Sequence, residues 1–204
     1  GGTLSVLGAD LGGLKGRELV ALRRRIGLLP QLSEINALAP LTVRDVVAIG
    51  RAGLAGLGQR LSASDREAVD SALSAFGLEP LAERLYSRVS GGEQRKAQLA
   101  RVFAQGPELL LLDEPMANLD FSWQERLRRE IAEVWERTGM TIIMVTHESH
   151  HLPEPCNLAA LVSAGRLIAA GPSDQTLRPE TLVRAYGPGL QVFQSQGRTY
   201  TLGG

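Results

Sequence analysis

The sequence predicts an α/β domain with a mostly parallel sheet and a helical region inserted into it. Three observations carry that expectation. Residues 109–112 are four leucines closed by Asp113, Glu114 and Pro115, the pattern of a strand buried on both faces of a parallel sheet. Residues 141–145 form a second, β-branched apolar run after an amphipathic helical pattern, so strand, helix and strand make one right-handed crossover unit. Between about residues 42 and 105 the apolar periodicity is helical throughout.

The chain has 204 residues, enough for one domain with its own core. Lys and Arg number 22 and Asp and Glu number 22, so the net charge is +0. That balance argues against a bulk electrostatic grip on nucleic acid or lipid headgroups, and no nucleic-acid partner is expected. A lone cysteine, Cys156, excludes an internal disulfide and suits a reducing compartment. No apolar run approaches the roughly 20 residues that span a bilayer. Any membrane role is therefore expected to come through a partner.

Taken in order, residues 3–7 read as a short strand and residues 8–10 as a turn. Gly8 and Gly13 have the glycine spacing of G-x-x-x-x-G-K-[ST], but Leu14 stands where the lysine belongs and no Ser or Thr follows Lys15. This stretch is read as a decoy and not as a phosphate cradle. Residues 18–25 read as a helix whose closing arginines complement its dipole. Residues 26–30 read as a strand followed by Gln31, and residues 33–40 as loop. Thr42 is the expected N-cap of a helix over residues 43–51. Residues 52–61 are glycine-rich and read as mobile. Helical spacing resumes over residues 64–76, stopped by Gly77, with a further short helical turn at residues 81–85.

Residues 90–93 are Ser-Gly-Gly-Glu at the start of a helix expected to run to about residue 105. A helix N-terminus has unpaired N–H groups and partial positive charge, and glycine lets an anion approach them. Ser90 and Glu93 equally fit a capping box, and both readings stand. Asp113 and Glu114 close the leucine strand, where open α/β sheets bind ligands; the plainer reading is a strand that ends in solvated acids.

Ser122 to Glu125 fits another capping box. Trp123, Leu127, Ile131, Val134 and Trp135 then share one helical face, which reads as core rather than a base-stacking platform. His147 follows the strand at residues 141–145. His147 and His151 are spaced i, i+4, but no acid or cysteine sits at conventional zinc spacing, so a metal site is not expected there. Cys156 reads as a buried small residue. Residues 158–163 and 166–170 flank Ala164-Gly165, a hairpin signal. Residues 176–186 read as a last helix, and residues 187–204 as a polar tail with one weak strand.

Together these pieces resemble the ATP-binding subunits of ABC transporters, and so a P-loop NTPase core. Ser90-Gly91-Gly92-Glu93-Gln94 resembles the signature motif. Residues 109–114 resemble Walker B with its catalytic glutamate, and residues 117–120 the D-loop. Gln31 and His147 match the Q-loop and H-loop. The resemblance implies an α/β catalytic core over residues 1–41 and 106–171, a helical subdomain over about 42–105, and a C-terminal helix and tail over 172–204. It also implies ATP and Mg²⁺ as ligands. Asp113 and Gln31 would serve the metal, Glu114 would be the base, His147 would contact the γ-phosphate, and Gln31 would link metal and water. Ser90, Gly91, Gly92, Glu93 and Asp120 would meet the ATP of a second subunit in a head-to-tail dimer.

Transmembrane permease subunits, and a substrate-binding protein indirectly, are the further implied partners. They place the chain at the cytoplasmic face of the membrane. Segments such as LTVRDVVAIGR resemble importers of metal ions or metal chelates (siderophore iron, haem, cobalamin, zinc or manganese). The competing reading is an ABC-type ATPase of macromolecular assembly or repair without a membrane partner, although the long coiled-coil insertion of repair proteins is missing. The family carries its P-loop before the Q-loop, so the sequence is expected to be N-terminally incomplete and inactive as it stands. It departs from the family in having Arg95 then Lys96 where Gln then Arg is usual, and Glu148 where Asp is more common.

Overall fold

In the computed structural model, residues 2–31, 39–56, 59–195 and 198–202 are described. Most of the loop expected at residues 33–40, and residues 57–58 of the glycine-rich stretch, lie outside them.

The chain opens with a small hairpin, β1 (Ser5–Val6) and β2 (Ala9–Asp10). Leu7 (φ 51°) and Gly8 (φ 79°) make its turn, so Ala9 and Asp10 pair as strand where a turn was expected. The glycine stretch that mimics a P-loop is thus a hairpin corner, followed by a turn in which Gly12 N–H donates to Asp10 Oδ1 at 3.0 Å.

Helix α1 (Gly16–Arg24) leads into β3 (Ile26–Leu29). Strands β3, β4 (Leu109–Asp113) and β5 (Thr141–Val145) form one parallel sheet in that order. The register pairs Leu29 with Leu112 and Asp113 with Val145, so residues just past all three strand ends share one edge. Around this sheet the architecture is α/β, as the leucine and β-branched runs required.

One face of the sheet is covered and the other only in part, with Leu109 (7% exposed) buried on the latter. Leu29, Leu110 and Leu112 are buried in the main core, with Leu127, Ile131 and Val134 from α5 (Phe121–Thr138). On the opposite face Leu28, Ile143 and Val145 are 55%, 51% and 54% exposed. The β-branched run at residues 141–145 reads as a buried strand, and that is corrected: in β5 only Ile142 and Met144 pack, partly buried, against the core. Among the described residues, no helix is long and apolar enough to cross a membrane.

Between β3 and β4 stand three helices, α2 (Val43–Ala55), α3 (Ala63–Ala75) and α4 (Gly91–Ala104). Each begins with a capping box, at Thr42/Asp45, Ser62/Asp65 and Ser90/Glu93. Helix α2 runs four residues past the expected Arg51, into the stretch read as mobile, because Arg51 is anchored. Its guanidinium pairs with Asp65 at 2.8 Å and donates to the terminal carbonyls of Ala104 and Gln105. A Cβ on Gly50 would meet Arg101 O at 1.9 Å, so α2 and α4 touch backbone to backbone there. Helix α4 in turn lies on the sheet, where a Cβ on Gly27 would meet Val102 at 2.6 Å. The short helical turns after α3 are 3-10 turns at Glu79–Leu81 and Tyr86–Arg88, on either side of the expected position.

After β5 come a 3-10 turn (Ser149–His151) and the hairpin β6 (Leu158–Ser163) and β7 (Arg166–Pro172). Ala164 (φ 48°) and Gly165 (φ 72°) form the turn that the sequence signalled. The last helical stretch is split into α6 (Ser173–Thr176) and α7 (Pro179–Tyr186), because Pro179 starts a new helix. Leu182 and Ala185 join Leu161 in a second, smaller core. The tail forms a full hairpin, β8 (Gln191–Ser195) and β9 (Arg198–Leu202).

Candidate functional site at the strand ends

The carboxyl edge of the parallel sheet gathers four of the expected residues. Asp113 ends β4 and Glu114 follows it. Gln31 lies two residues past Leu29, the last residue of neighbouring β3, and is exposed. His147 lies two residues past Val145, the last residue of β5 on the other side. The parallel register brings these residues together; none is adjacent in sequence except Asp113 and Glu114.

Glu114 is buried (7% exposed) and sits at φ 44°, a left-handed conformation that costs a non-glycine residue about 1–2 kcal/mol. Its N–H donates to Val145 O at 3.0 Å. Its carboxylate Oε1 is buried with no hydrogen-bond partner among the described residues, and His147 Nε2 lies 3.4 Å away. The His147 side chain is 87% exposed, so this edge opens to solvent and can admit a ligand.

Arg95 holds the turn in place. It lies one helical turn into α4 and is buried, 8% exposed. Its guanidinium donates to Pro115 O at 2.9 Å, Glu114 O at 3.1 Å, Asp113 O at 3.3 Å and Pro30 O at 3.1 Å. One planar group thereby ties α4 to the strand end that carries both acids and to the residue before Gln31. Burial pushes the Arg95 pKa down, with the neighbouring Tyr86 and Asp113 opposing. No sequence signal marked this role: Arg95 read only as positive charge near a helix start. Lys96 is also interior, 2% exposed, and pairs with Glu130 of α5 at 2.7 Å.

The expected signature residues sit at the start of α4. Ser90 and Gly91 are exposed, and a Cβ on Gly91 would meet nothing within 4 Å. Ser90 N–H and Oγ–H both donate to Glu93 Oε2, at 2.7 and 2.8 Å, and these bonds hold the Glu93 carboxyl below its ordinary range. Glu93 therefore caps the helix. Gly92 is buried against the indole of Trp123. Asp120 is exposed and is the N-cap of α5, accepting from Trp123 N–H at 3.1 Å. The expected cap at Ser122 is corrected: Asp120 starts the helix, and Ser122 lies within its first turn.

The donors fit the expected ligands. Asp113 and Gln31 offer oxygen atoms, the set a hard divalent cation such as Mg²⁺ requires. The bare buried Oε1 of Glu114 is an acceptor awaiting a proton donor.

A parallel sheet with acids, a glutamine and a histidine at its carboxyl edge places the chain among the α/β proteins that bind ligands at their strand ends. The chain belongs to the ABC transporter family, whose profile matches residues 1–117. The hemin import ATP-binding protein HmuV of Roseobacter denitrificans is 37% identical over 94% of this chain and 72% of its own length. The methionine import ATP-binding protein MetN of Cereibacter sphaeroides is 35% identical over 88% of this chain, which spans half (50%) of that protein. An inward-facing ABC transporter described as of metal-chelate type superposes with a TM-score of 0.74, at 24% identity, over 87% of this chain and 70% of its own. That last likeness shows the fold.

Proposed function

We propose that the protein hydrolyses ATP and couples it to import through membrane permease subunits, acting at the cytoplasmic face of the membrane. The observation that carries this reading is the buried, strained Glu114 with a bare carboxylate oxygen 3.4 Å from His147, at the open end of a parallel sheet.

Glu114 orients a water molecule and takes its proton, and burial away from bulk solvent keeps that carboxylate free for the task. His147 holds the γ-phosphate from the exposed side. Asp113, with Gln31, holds Mg²⁺, which when bound neutralises charge on the phosphates. Ser90 and Gly91 present exposed surface at the positive end of the α4 dipole to an anion from outside, which suits the ATP of a second subunit. Asp120 lies exposed beside that surface, at the start of α5. A head-to-tail dimer that closes on ATP follows from that division of labour. Permease subunits fit the import in the names of the relatives, a substrate-binding protein is carried over from the family resemblance, and a metal chelate such as hemin is the favoured cargo.

The test compares phosphate release and oligomeric state for the full-length protein and its Glu114→Gln variant with ATP and Mg²⁺. The variant should bind ATP, stop turning over and accumulate as dimer. Unchanged turnover would remove Glu114 from the role of base.

A further inference from the structure

Beyond the strand-end site, the turn that follows His147 gathers a second set of donors. Glu148, His150 and His151 each offer one ligand atom, and the three atoms lie within 4.8 Å of one another. The 3-10 turn Ser149–His151 brings them together, with His151 N–H donating to Glu148 O at 3.1 Å. Two ring nitrogens, His150 Nδ1 and His151 Nε2, are buried without a hydrogen-bond partner among the described residues. His150 Nδ1 stands 3.2 Å from a Glu148 carboxylate oxygen.

Thr146 engages the far side of the His151 ring. Thr146 Oγ–H donates to Glu148 O at 3.3 Å, so its only proton is used. The hydroxyl oxygen accepts from Glu148 N–H at 3.2 Å and meets His151 Nδ1 at 3.3 Å. With the ring proton on Nδ1, that contact is an N–H···O bond to Thr146 and the buried Nε2 keeps a lone pair for a ligand. A partner on the far nitrogen that orients the ring is what metal-bound histidines require, and the Thr146 hydroxyl stands in that position.

The turn is also braced from outside. The His150 ring stacks on Tyr200 with centroids 5.3 Å apart and packs edge-on against His151 at 4.5 Å. Ser149 Oγ–H donates to Thr199 O at 2.6 Å. The Tyr200 and Thr199 contacts come from β9, so the C-terminal hairpin holds the donors in position.

We propose that Glu148, His150 and His151 bind a divalent late first-row cation, zinc foremost, with water completing the coordination. Two imidazole nitrogens and one carboxylate oxygen suit zinc and its neighbours over Mg²⁺ or Ca²⁺, which favour all-oxygen sets. The site is separate from Asp113 and Gln31. It differs from the His147–His151 pair visible in the sequence: His147 faces Glu114, Glu148 supplies the acid and His150 the second nitrogen. Occupancy would rigidify the turn directly after His147, which β9 braces from outside.

The test titrates the metal-stripped protein with zinc chloride by calorimetry, without nucleotide. One zinc per chain should bind, and His150→Ala and Glu148→Gln should each weaken it roughly tenfold or more. His147→Ala and an excess of Mg²⁺ should leave zinc binding unchanged. Cobalt(II) in place of zinc should give visible absorption bands in the wild-type protein, lost in His150→Ala. Absence of zinc binding by the wild-type protein overturns the proposal. So does zinc binding that survives both variants, or that His147→Ala weakens as much as His150→Ala does.

Discussion

His147 Nε2 lies 3.4 Å from Glu114 Oε1, across the ends of two neighbouring parallel strands. The glutamate is buried and the histidine exposed, so a ligand arriving from solvent meets the imidazole first and the carboxylate last. If Glu114 is the general base, Glu114→Gln should lower ATP turnover by about 10²–10⁴-fold while nucleotide binding persists. Phosphate release and nucleotide-binding isotherms on the full-length protein measure the two effects separately.

Arg95 should be sensitive out of proportion to its distance from the ligand. Its replacement by Ala strips the donor from the carbonyls of Pro30, Asp113, Glu114 and Pro115 at once. A cost of about 2–4 kcal/mol in folding stability is expected from the unpaired groups. Because Glu114 is held at positive φ by these bonds, kcat should fall more than KM rises. Arg95→Gln, which keeps an amide donor, should retain more turnover than Arg95→Ala. Denaturant titration and steady-state kinetics check both outcomes.

The Lys96–Glu130 pair predicts an asymmetry between single and double variants. Burial raises the Glu130 pKa, while Lys96 pulls it down. Lys96→Met should destabilise by about 2–4 kcal/mol, because a buried carboxylate loses its close partner and only Arg126 remains beside it. The double variant Lys96→Met/Glu130→Leu should recover most of that loss. In Lys96→Met the folded state holds the Glu130 proton more tightly than the unfolded chain does. Its stability should therefore fall as pH rises through the folded-state pKa. Melting temperatures across a pH series decide the matter.

Asp65 predicts the opposite sign. Hydrogen bonds from Ser62, and then Arg51, lower its pKa from 3.8 to about 2. Its contribution is fully present above pH 3.8 and is lost as pH falls through about 2. Asp65→Asn should flatten the acid limb of the stability profile in that window, as followed by circular dichroism.

Much of this was legible because local chemistry and tertiary structure agree. The leucines at residues 109–112 lie in a buried strand, and Asp113 and Glu114 stand at its end, as strand patterning requires. The Thr42 and Ser90 caps and the Ala164-Gly165 hairpin are set by residues three apart or fewer, so a sequence displays them directly. What the sequence hid was long-range. Arg95 looks like any helix-start cation until α4 is laid on the sheet. Asp120 took the cap assigned to Ser122 because two nearby polar residues competed for one helix start. The triple at Glu148, His150 and His151 depends on a 3-10 turn that has no periodic signature. The half-exposed β5 was misjudged because β-branched content reports strand, not how many faces are covered.

Gly92 has no room for a methyl group, since a Cβ there would sit 2.4 Å from the Trp123 indole. Inactivity in a Gly92→Ala protein would thus be ambiguous between a bent helix seat and a blocked nucleotide. Shrinking the indole in the same molecule separates the two: a partner that makes space should rescue the first fault and leave the second untouched.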